Sequence, residues 1–258
     1  MNIIIPTETL SMNHKQLLTN RCILLSIFLL FNFSIFGQSP SPQQLAVDYL
    51  KLKSDLVCHT SEKYGQDPHQ AIAFGFPKLV KHFESNGQRN TDQLEQLYIH
   101  LGSRESDVQI GEFMLKTSFV EQLETIVSNH SSFFQKFAFI TEYKVADERS
   151  IRINRLKRMK DISWQIDYLF AFKAIADSCF FGVHFENMEE KNAFYSIAFD
   201  LGFKAKLNDI KNCYNLFKED VKNDRRVDRC RQSASLTKEF FAVHTPIFDC
   251  KYDFVEVK

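Results

Sequence analysis

Residues 64–83 read YGQDPHQAIAFGFPKLVKHF, and this stretch decides the fold. Asp67 followed by Pro68 predicts a helix start, because an aspartate side chain caps free backbone N–H groups and proline suits the first helical position. Apolar residues then recur at helical spacing as far as His82. Pro77 lies inside this pattern and predicts a kink, or a break of the helix after Phe76.

The same helical spacing continues on both sides of this stretch. Further helices are predicted over residues 42–60, from Thr91 onward, over 111–127, from Asp147 as one long helix or two in series, over 187–201 and over 207–221. The second half of the Asp147 stretch is apolar on most sides, which predicts a central buried helix. Strand-like composition occurs only after Pro246. We therefore expect a mainly α fold with at most a short strand near the C-terminus.

Composition places the chain among ordinary globular proteins. It has 258 residues, 44% of them hydrophobic, and its 32 basic residues balance 32 acidic ones. A disordered tail protein would have lower hydrophobicity and higher net charge, and a neutral chain gives no reason to expect nucleic acid as a partner. Glycine and proline are scarce, which favours long helices over many short strands. The 26 phenylalanines suit a well-filled core or an aromatic groove.

The N-terminus has the pattern of a secretory signal peptide. Lys15 and Arg21 precede the apolar run CILLSIFLLFNFSIF at 22–36, and Gly37 follows it. We expect residues 1–37 to be removed, the mature chain to begin near Gln38, and the protein to be periplasmic or secreted. With the signal removed, no stable membrane span is expected; the alternative is an uncleaved anchor. Met12 is an alternative to Met1 as the start, because the residues before it add nothing to a signal.

The mature chain is expected to hold one domain. Residues 38–63 are interpreted as an N-terminal linker and helix, and residues 64–258 as a single helical domain. Exported proteins meet an oxidising compartment, so disulfides are expected, and five cysteines leave one thiol over. The pairing stays open among fifteen two-bridge patterns. These cysteines are Cys58, Cys179, Cys213, Cys230 and Cys250. Cys179, in an apolar stretch, is interpreted as a small core residue.

Familiar catalytic and cofactor motifs do not occur in this sequence. It has no HExxH, GxSxG, Walker loop or GxGxxG motif, and no clustered Cys and His spacing for zinc. We therefore expect neither a metal nor a cofactor. Two basic clusters, at 149–160 and 222–231, are interpreted as solvated helix faces balanced by nearby acids.

Three segments in order carry a resemblance to a known family. They are Tyr64–Phe83, IGEFMLKTSFVEQL at Ile110–Leu123, and KNAFYSIAFDLGF at Lys191–Phe203. Together they resemble the lytic transglycosylase branch of the lysozyme-like superfamily. In that family a Tyr-Gly-x-Asp-Pro segment leads into the helix with the catalytic Glu, a Gly-x-x-Gln segment follows, and an Ala-Tyr-Asn-x-Gly segment comes later. The resemblance implies a lysozyme-like helical domain and peptidoglycan or a related glycan as ligand.

The chain departs from the family at the positions that perform catalysis. Lys78 stands where the family has its Glu, Met114 replaces its Gln, and Phe199-Asp200 replaces its Tyr-Asn pair. Glycosidic cleavage needs a carboxylic acid to protonate the leaving oxygen, and a lysine does not have a carboxyl group's geometry. The resemblance thus implies a pseudoenzyme that keeps a glycan or envelope-protein groove. The resemblance also implies that Lys78, Met114, Phe199 and Asp200 line one groove and that Asp200 pairs with Lys78.

Two alternatives stay open from the sequence. Glu84-Ser85 resembles the Glu-Ser dipeptide of the family's catalytic position but lies six residues beyond Lys78, so Glu84 is the fallback acid of an active enzyme. The other alternative is a helical envelope interaction protein that binds no glycan.

Overall fold

The computed structural model describes residues 39–85, 90–219, 225–243 and 247–250. Within these ranges regular structure consists of twelve α-helices, a 3₁₀ turn at Ala138–Ile140 and one short hairpin, which confirms the mainly α prediction. The helices are α1 (Pro42–Leu52), α2 (Ser54–Tyr64), α3 (Pro68–Ala73), α4 (Phe76–Glu84), α5 (Asp92–Leu101), α6 (Thr117–Asn129), α7 (Ser131–Phe137), α8 (Glu148–Lys160), α9 (Ile162–Cys179), α10 (Met188–Leu201), α11 (Leu207–Lys218) and α12 (Arg225–Val243). The predicted signal at 1–37 lies outside the described residues.

The predicted central helix is α9. Its residues Tyr168, Leu169, Phe170 and Ala171 are all fully buried, so every face of this turn is covered. It contacts α2, α3, α6, α7 and α8. A second layer is formed by α10, α11 and α12, and α12 also packs against α4. Within the part of the chain described, no helix is both long and apolar enough to cross a membrane.

Side-chain caps define several helix starts. Asp67 accepts the backbone N–H of His69 at 2.8 Å, as the Asp-Pro pattern predicted. Asp147 caps α8, and Asp161 separates α8 from α9 by capping the latter, so the long stretch is two helices in series. Asn187 caps α10, and Gly202 follows its last residue. These caps satisfy backbone donors that have no partner inside the helix.

The predicted helix over 42–60 is wrong in one respect: it is two helices that meet at Lys53. The first, α1, packs against α4, whereas α2 packs against α9, so one straight helix would not serve both contacts. Both belong to the same compact unit as the rest of the chain from Pro42 onward. The two helices that precede Tyr64 are therefore part of the main body of the fold.

The break near Pro77 lies earlier than predicted. Helix α3 ends at Ala73 and α4 begins at Phe76, which places Pro77 in the first turn of α4, where its missing N–H costs nothing. Gly75 lies between the helices, and a β-carbon there would be 3.0 Å from Cδ1 of Phe113. Gly75 therefore allows close approach of Phe113 at the break, and Pro77 cannot supply the N–H that a continuous helix would bond to the Ala73 carbonyl.

The prediction of a helix beginning at Gly111 is wrong, because 109–116 forms a hairpin. Strand β1 (Gln109–Ile110) pairs antiparallel with β2 (Leu115–Lys116), and α6 begins only at Thr117. Gly111 has φ +77° and Met114 φ +47°, values that close the turn and do not occur within a right-handed helix. Residues 247–250 contain no strand, and the rest of the tail lies beyond the described chain.

Four cysteines form two disulfides, Cys58–Cys250 and Cys213–Cys230. Among the described residues Cys179 is the one free thiol, and its interpretation as a core residue is wrong because it is exposed. It is the last residue of α9, where the buried run ends, and the nearby Phe181 is 92% exposed. Partial desolvation raises the pKa of the Cys179 thiol, which makes it a weaker nucleophile near neutral pH.

Candidate functional site

The first and second motif segments meet at the glycine between α3 and α4. Phe113, at the turn of the hairpin, is fully buried and contacts Gly75 closely. Lys78 follows Gly75 within the first turn of α4, and its backbone N–H donates to the Gly75 carbonyl at 3.0 Å. This packing places Lys78 beside the hairpin.

The hairpin is held by Gln165 of α9. The buried Gln165 side chain accepts the backbone N–H of Phe113 at 2.9 Å and donates to Glu112 at 2.5 Å. A β-carbon on Gly111 would collide with the Gln165 amide and with the Met159 carbonyl. The sequence pattern gave no sign of this contact, because it depends on α9 packing against a turn.

The third segment joins the site through aromatic packing. The Phe199 ring lies 5.4 Å from Phe74 and 5.0 Å from Phe119, measured between centroids. Phe203 stacks on Phe119 at 5.0 Å with planes inclined by 16°. Phe203 is half-buried, whereas Phe119 and Phe199 are almost fully buried. These rings form a floor under the surface on which the three segments meet.

A cavity of about 180 Å³, which we call the central cavity, opens above this floor. The four residues that the resemblance assigned to one groove, namely Lys78, Met114, Phe199 and Asp200, all line it. The remaining lining consists of the ends of the second and third segments and Asp107. These residues are Asp107, Leu115, Lys116, Ser118, Phe119, Gln122, Leu201, Gly202, Phe203 and Lys204.

Lys78 and Asp200 form an ion pair at the wall of the central cavity, as the motif order predicted. Their side chains are only 14% and 6% exposed. The Ser233 hydroxyl of α12 also donates to the Asp200 carboxylate. Asp200 is thus engaged on both oxygens, one by Lys78 and one by Ser233.

A second cavity, the hairpin cavity, lies on the other side of Met114, which lines both. It measures about 350 Å³ and is bordered mainly by α5 and the hairpin. Glu95 lies in its wall, where it pairs with Lys160 at 2.7 Å and accepts the Thr91 hydroxyl at 2.7 Å. Glu112 also lines it, so its carboxylate faces this cavity and not the central one.

Glu84 is exposed at the end of α4 and does not line the central cavity. It borders a recess of about 30 Å³ on the far side of the ion pair, together with Lys81 and Gln232. A catalytic acid needs a dry surrounding that keeps its proton at neutral pH, and this position does not supply one.

The first basic cluster differs from its prediction as a solvated helix face. Arg155 is buried and pairs with Glu124 at 2.7 Å. Tyr143 and Tyr98 extend this network, with the Tyr143 hydroxyl 2.5 Å from Glu124 and the Tyr98 hydroxyl 2.7 Å from Arg155. The cluster therefore includes a cross-link between helices. In the second cluster, the side chains of Lys222, Arg225, Arg226 and Arg229 lie outside the described part.

The side chains that the structure describes include no group of three suited to a metal ion. Three comparisons with known proteins found no match: no protein-family model, no curated protein and no solved structure is significantly similar to the chain.

Proposed function

We propose that the mature chain is an exported, non-catalytic lysozyme-like protein whose groove binds peptidoglycan or a related glycan of the cell envelope. The proposal combines the family resemblance of three separate segments with their meeting around one cavity. Chance similarity gives no reason for segments so far apart in sequence to line the same cavity.

The observation that carries the proposal is the Lys78–Asp200 ion pair. Among the described residues lining the central cavity, only Asp107 and Asp200 have a carboxyl group. Asp200 is held by Lys78 and Ser233, and the exposed Asp107 accepts the backbone N–H of Ser118 at 2.9 Å. Neither is a free acid in a dry pocket, which general acid catalysis of glycoside cleavage requires.

The remaining lining suits a sugar. Half-buried Phe203 presents an aromatic surface backed by Phe119, and the apolar face of a pyranose ring can pack on such a surface. Ser118 and Gln122 supply polar groups beside it. A cavity with an aromatic floor and a few polar groups is the usual form of a small-ligand site.

The two disulfides support export. They join Cys58 to Cys250 and Cys213 to Cys230, and such bonds persist in oxidising compartments such as the periplasm or the cell exterior. This agrees with the signal-like pattern before Gln38.

Co-sedimentation with insoluble peptidoglycan tests the binding. The chain from Gln38 should sediment with the polymer, and Phe203→Ala should weaken this. Phe181→Ala is the matched control, because Phe181 is 92% exposed and does not line the central cavity, so this variant should sediment as the parent does. Equal loss in both variants, or no sedimentation of the parent, would contradict glycan binding at this cavity.

Mass spectrometry of the supernatant tests the absence of catalysis. No anhydro-muropeptides should appear after long incubation with peptidoglycan. Release of such products by the parent, abolished in Glu84→Gln, would instead establish an active enzyme that uses Glu84.

A further inference from the structure

We infer that the central cavity selects a carboxylate-bearing glycan and that Lys116 and Lys204 hold the carboxylate, an inference that rests on the proposed glycan binding. It specifies the chemical class of the ligand, which the resemblance alone leaves open between charged and neutral sugars.

The charged residues that line the central cavity are three lysines and two aspartates. Lys78 is neutralised by Asp200, and Asp107 is engaged at the N-terminus of α6, where it accepts from Ser118 and, at 3.3 Å, from the Thr117 hydroxyl. Lys116 and Lys204 form no ion pair with any described residue. Asp107 is bonded only by neutral groups and keeps its negative charge, so the five side chains give the central cavity a net charge of +1.

The hairpin cavity has the opposite balance. Its described lining holds the carboxylates of Asp92, Glu95 and Glu112 and one lysine, Lys160, which pairs with Glu95. Glu112 is held by the neutral amide of Gln165, which leaves its negative charge uncompensated. Because Met114 borders both cavities, a ligand that extends along the two meets positive charge on one side and negative charge on the other. Its carboxylate would be attracted to the central cavity and repelled from the hairpin cavity.

The partial burial of Lys116 and the position of Lys204 explain why these lysines can discriminate between ligands. Lys116 is half-buried at the end of β2, beside the buried Leu115 and Phe119, so its ammonium works in a less screened setting than a fully solvated one. Lys204 is exposed just after Phe203, where it can reach a carboxylate on a sugar that packs on that ring. Lys116 thus belongs to the second segment, and Lys204 directly follows the third.

Isothermal titration with three soluble probes tests the inference. The probes are a muropeptide with free carboxylates, the same muropeptide with its carboxylates amidated, and neutral N-acetylglucosamine tetramer. The free-carboxylate probe should bind roughly tenfold more tightly than the amidated one, and added salt should reduce the difference. Lys116→Gln/Lys204→Gln should remove it. Lys144→Gln/Lys211→Gln, at exposed lysines outside both cavities, makes the same change in net charge and should preserve it.

The outcomes distinguish failure of the carboxylate inference from failure of the proposed glycan binding. Equal binding of the free and amidated probes, or a preference that survives Lys116→Gln/Lys204→Gln, overturns the carboxylate inference and leaves glycan binding in place. Failure of all three probes together with failure to sediment with peptidoglycan overturns both. A fourth probe, an oligogalacturonate, identifies the source of the carboxylate: binding as tight as that of the muropeptide places it on a sugar ring, and weaker binding places it on the lactyl or peptide part.

Discussion

Lys78 of α4 and Asp200 of α10 form an ion pair, and both side chains are largely buried. Each comes from a different motif segment, and Ser233 of α12 donates to the same carboxylate. The pair and Ser233 therefore join three helices at the wall of the central cavity. A buried pair of this kind adds little net stability, because desolvation of the two charges offsets their attraction, but removing one partner leaves a charge without compensation.

Lys78→Met should destabilise the fold by about 3–5 kcal/mol, because it leaves the Asp200 carboxylate buried and unpaired. Lys78→Met/Asp200→Leu should recover more than half of that loss. Lys51→Met is the control: Lys51 and Asp48 form a 3.6 Å pair with side chains 58% and 54% exposed, and its loss should cost less than about 1 kcal/mol. Urea unfolding of the variants gives these values. A double variant as unstable as Lys78→Met would contradict the paired arrangement.

Gly111→Ala should destabilise the fold by at least about 2 kcal/mol, since the residue has positive φ and its β-carbon would meet the Gln165 amide and the Met159 carbonyl. It should also weaken glycan binding, because the hairpin borders both cavities. Gly182→Ala, which has no neighbouring atom within 4 Å, should change stability by about 0.5 kcal/mol or less. Thermal unfolding and sedimentation with peptidoglycan check the pair. Equal stability of the two variants would show that the hairpin is not clamped against α9.

His69 should make the fold less stable in mild acid. Burial lowers its pKa below the ordinary value of 6.5, with Asp67 opposing this, and its ring packs 5.1 Å from that of Phe248. As pH falls below about 6.5 the unfolded chain binds a proton that the folded chain does not, so the free energy of unfolding decreases. His69→Asn should flatten this dependence between about pH 7.5 and 5.5, whereas exposed His59→Asn should leave it unchanged. Urea unfolding across this range measures it; identical slopes in all three proteins would show that His69 is not the source.

The two disulfides should contribute unequally to stability. Cys58–Cys250 spans 192 positions and Cys213–Cys230 spans 17, so loop-closure entropy predicts losses of about 5 and about 3 kcal/mol when each pair is replaced by alanine. Thiol titration of the denatured, unreduced mature chain should find a single reactive cysteine. A similar loss from both pairs would mean that the unfolded chain does not follow the simple entropic account.

The helices could be predicted because their signals are local. Asp67, Asn187 and Gly202 mark helix ends by their own backbone and side-chain chemistry, and α9 is apolar on most sides. The hairpin was missed because two-residue strands show no alternation, and its turn is fixed by Gln165, far along the chain. The break at Lys53 likewise depends on where the neighbouring helices pack.

Part of the candidate site could likewise be predicted from the sequence, and part of it could not. The meeting of Lys78, Met114, Phe199 and Asp200 was predicted from the order of three motif segments. Lys116 lies within the second segment and Lys204 directly follows the third, but single lysines are common on any surface and give no signal in a sequence. Only the spatial balance of charges distinguishes them. The disulfide pairing was also out of reach, because cysteine spacing alone does not select one pattern among fifteen.

The bond between Cys58 and Cys250 makes residues 58–250 a covalently closed ring. Cleavage of any single peptide bond within the ring opens it without releasing a fragment of the ring, so a piece of the ring leaves only after a second cut or after reduction of the disulfide. The nicked molecule would still hold Lys78 and Asp200 on one covalent framework, so the central cavity that they line is expected to outlast the first cut.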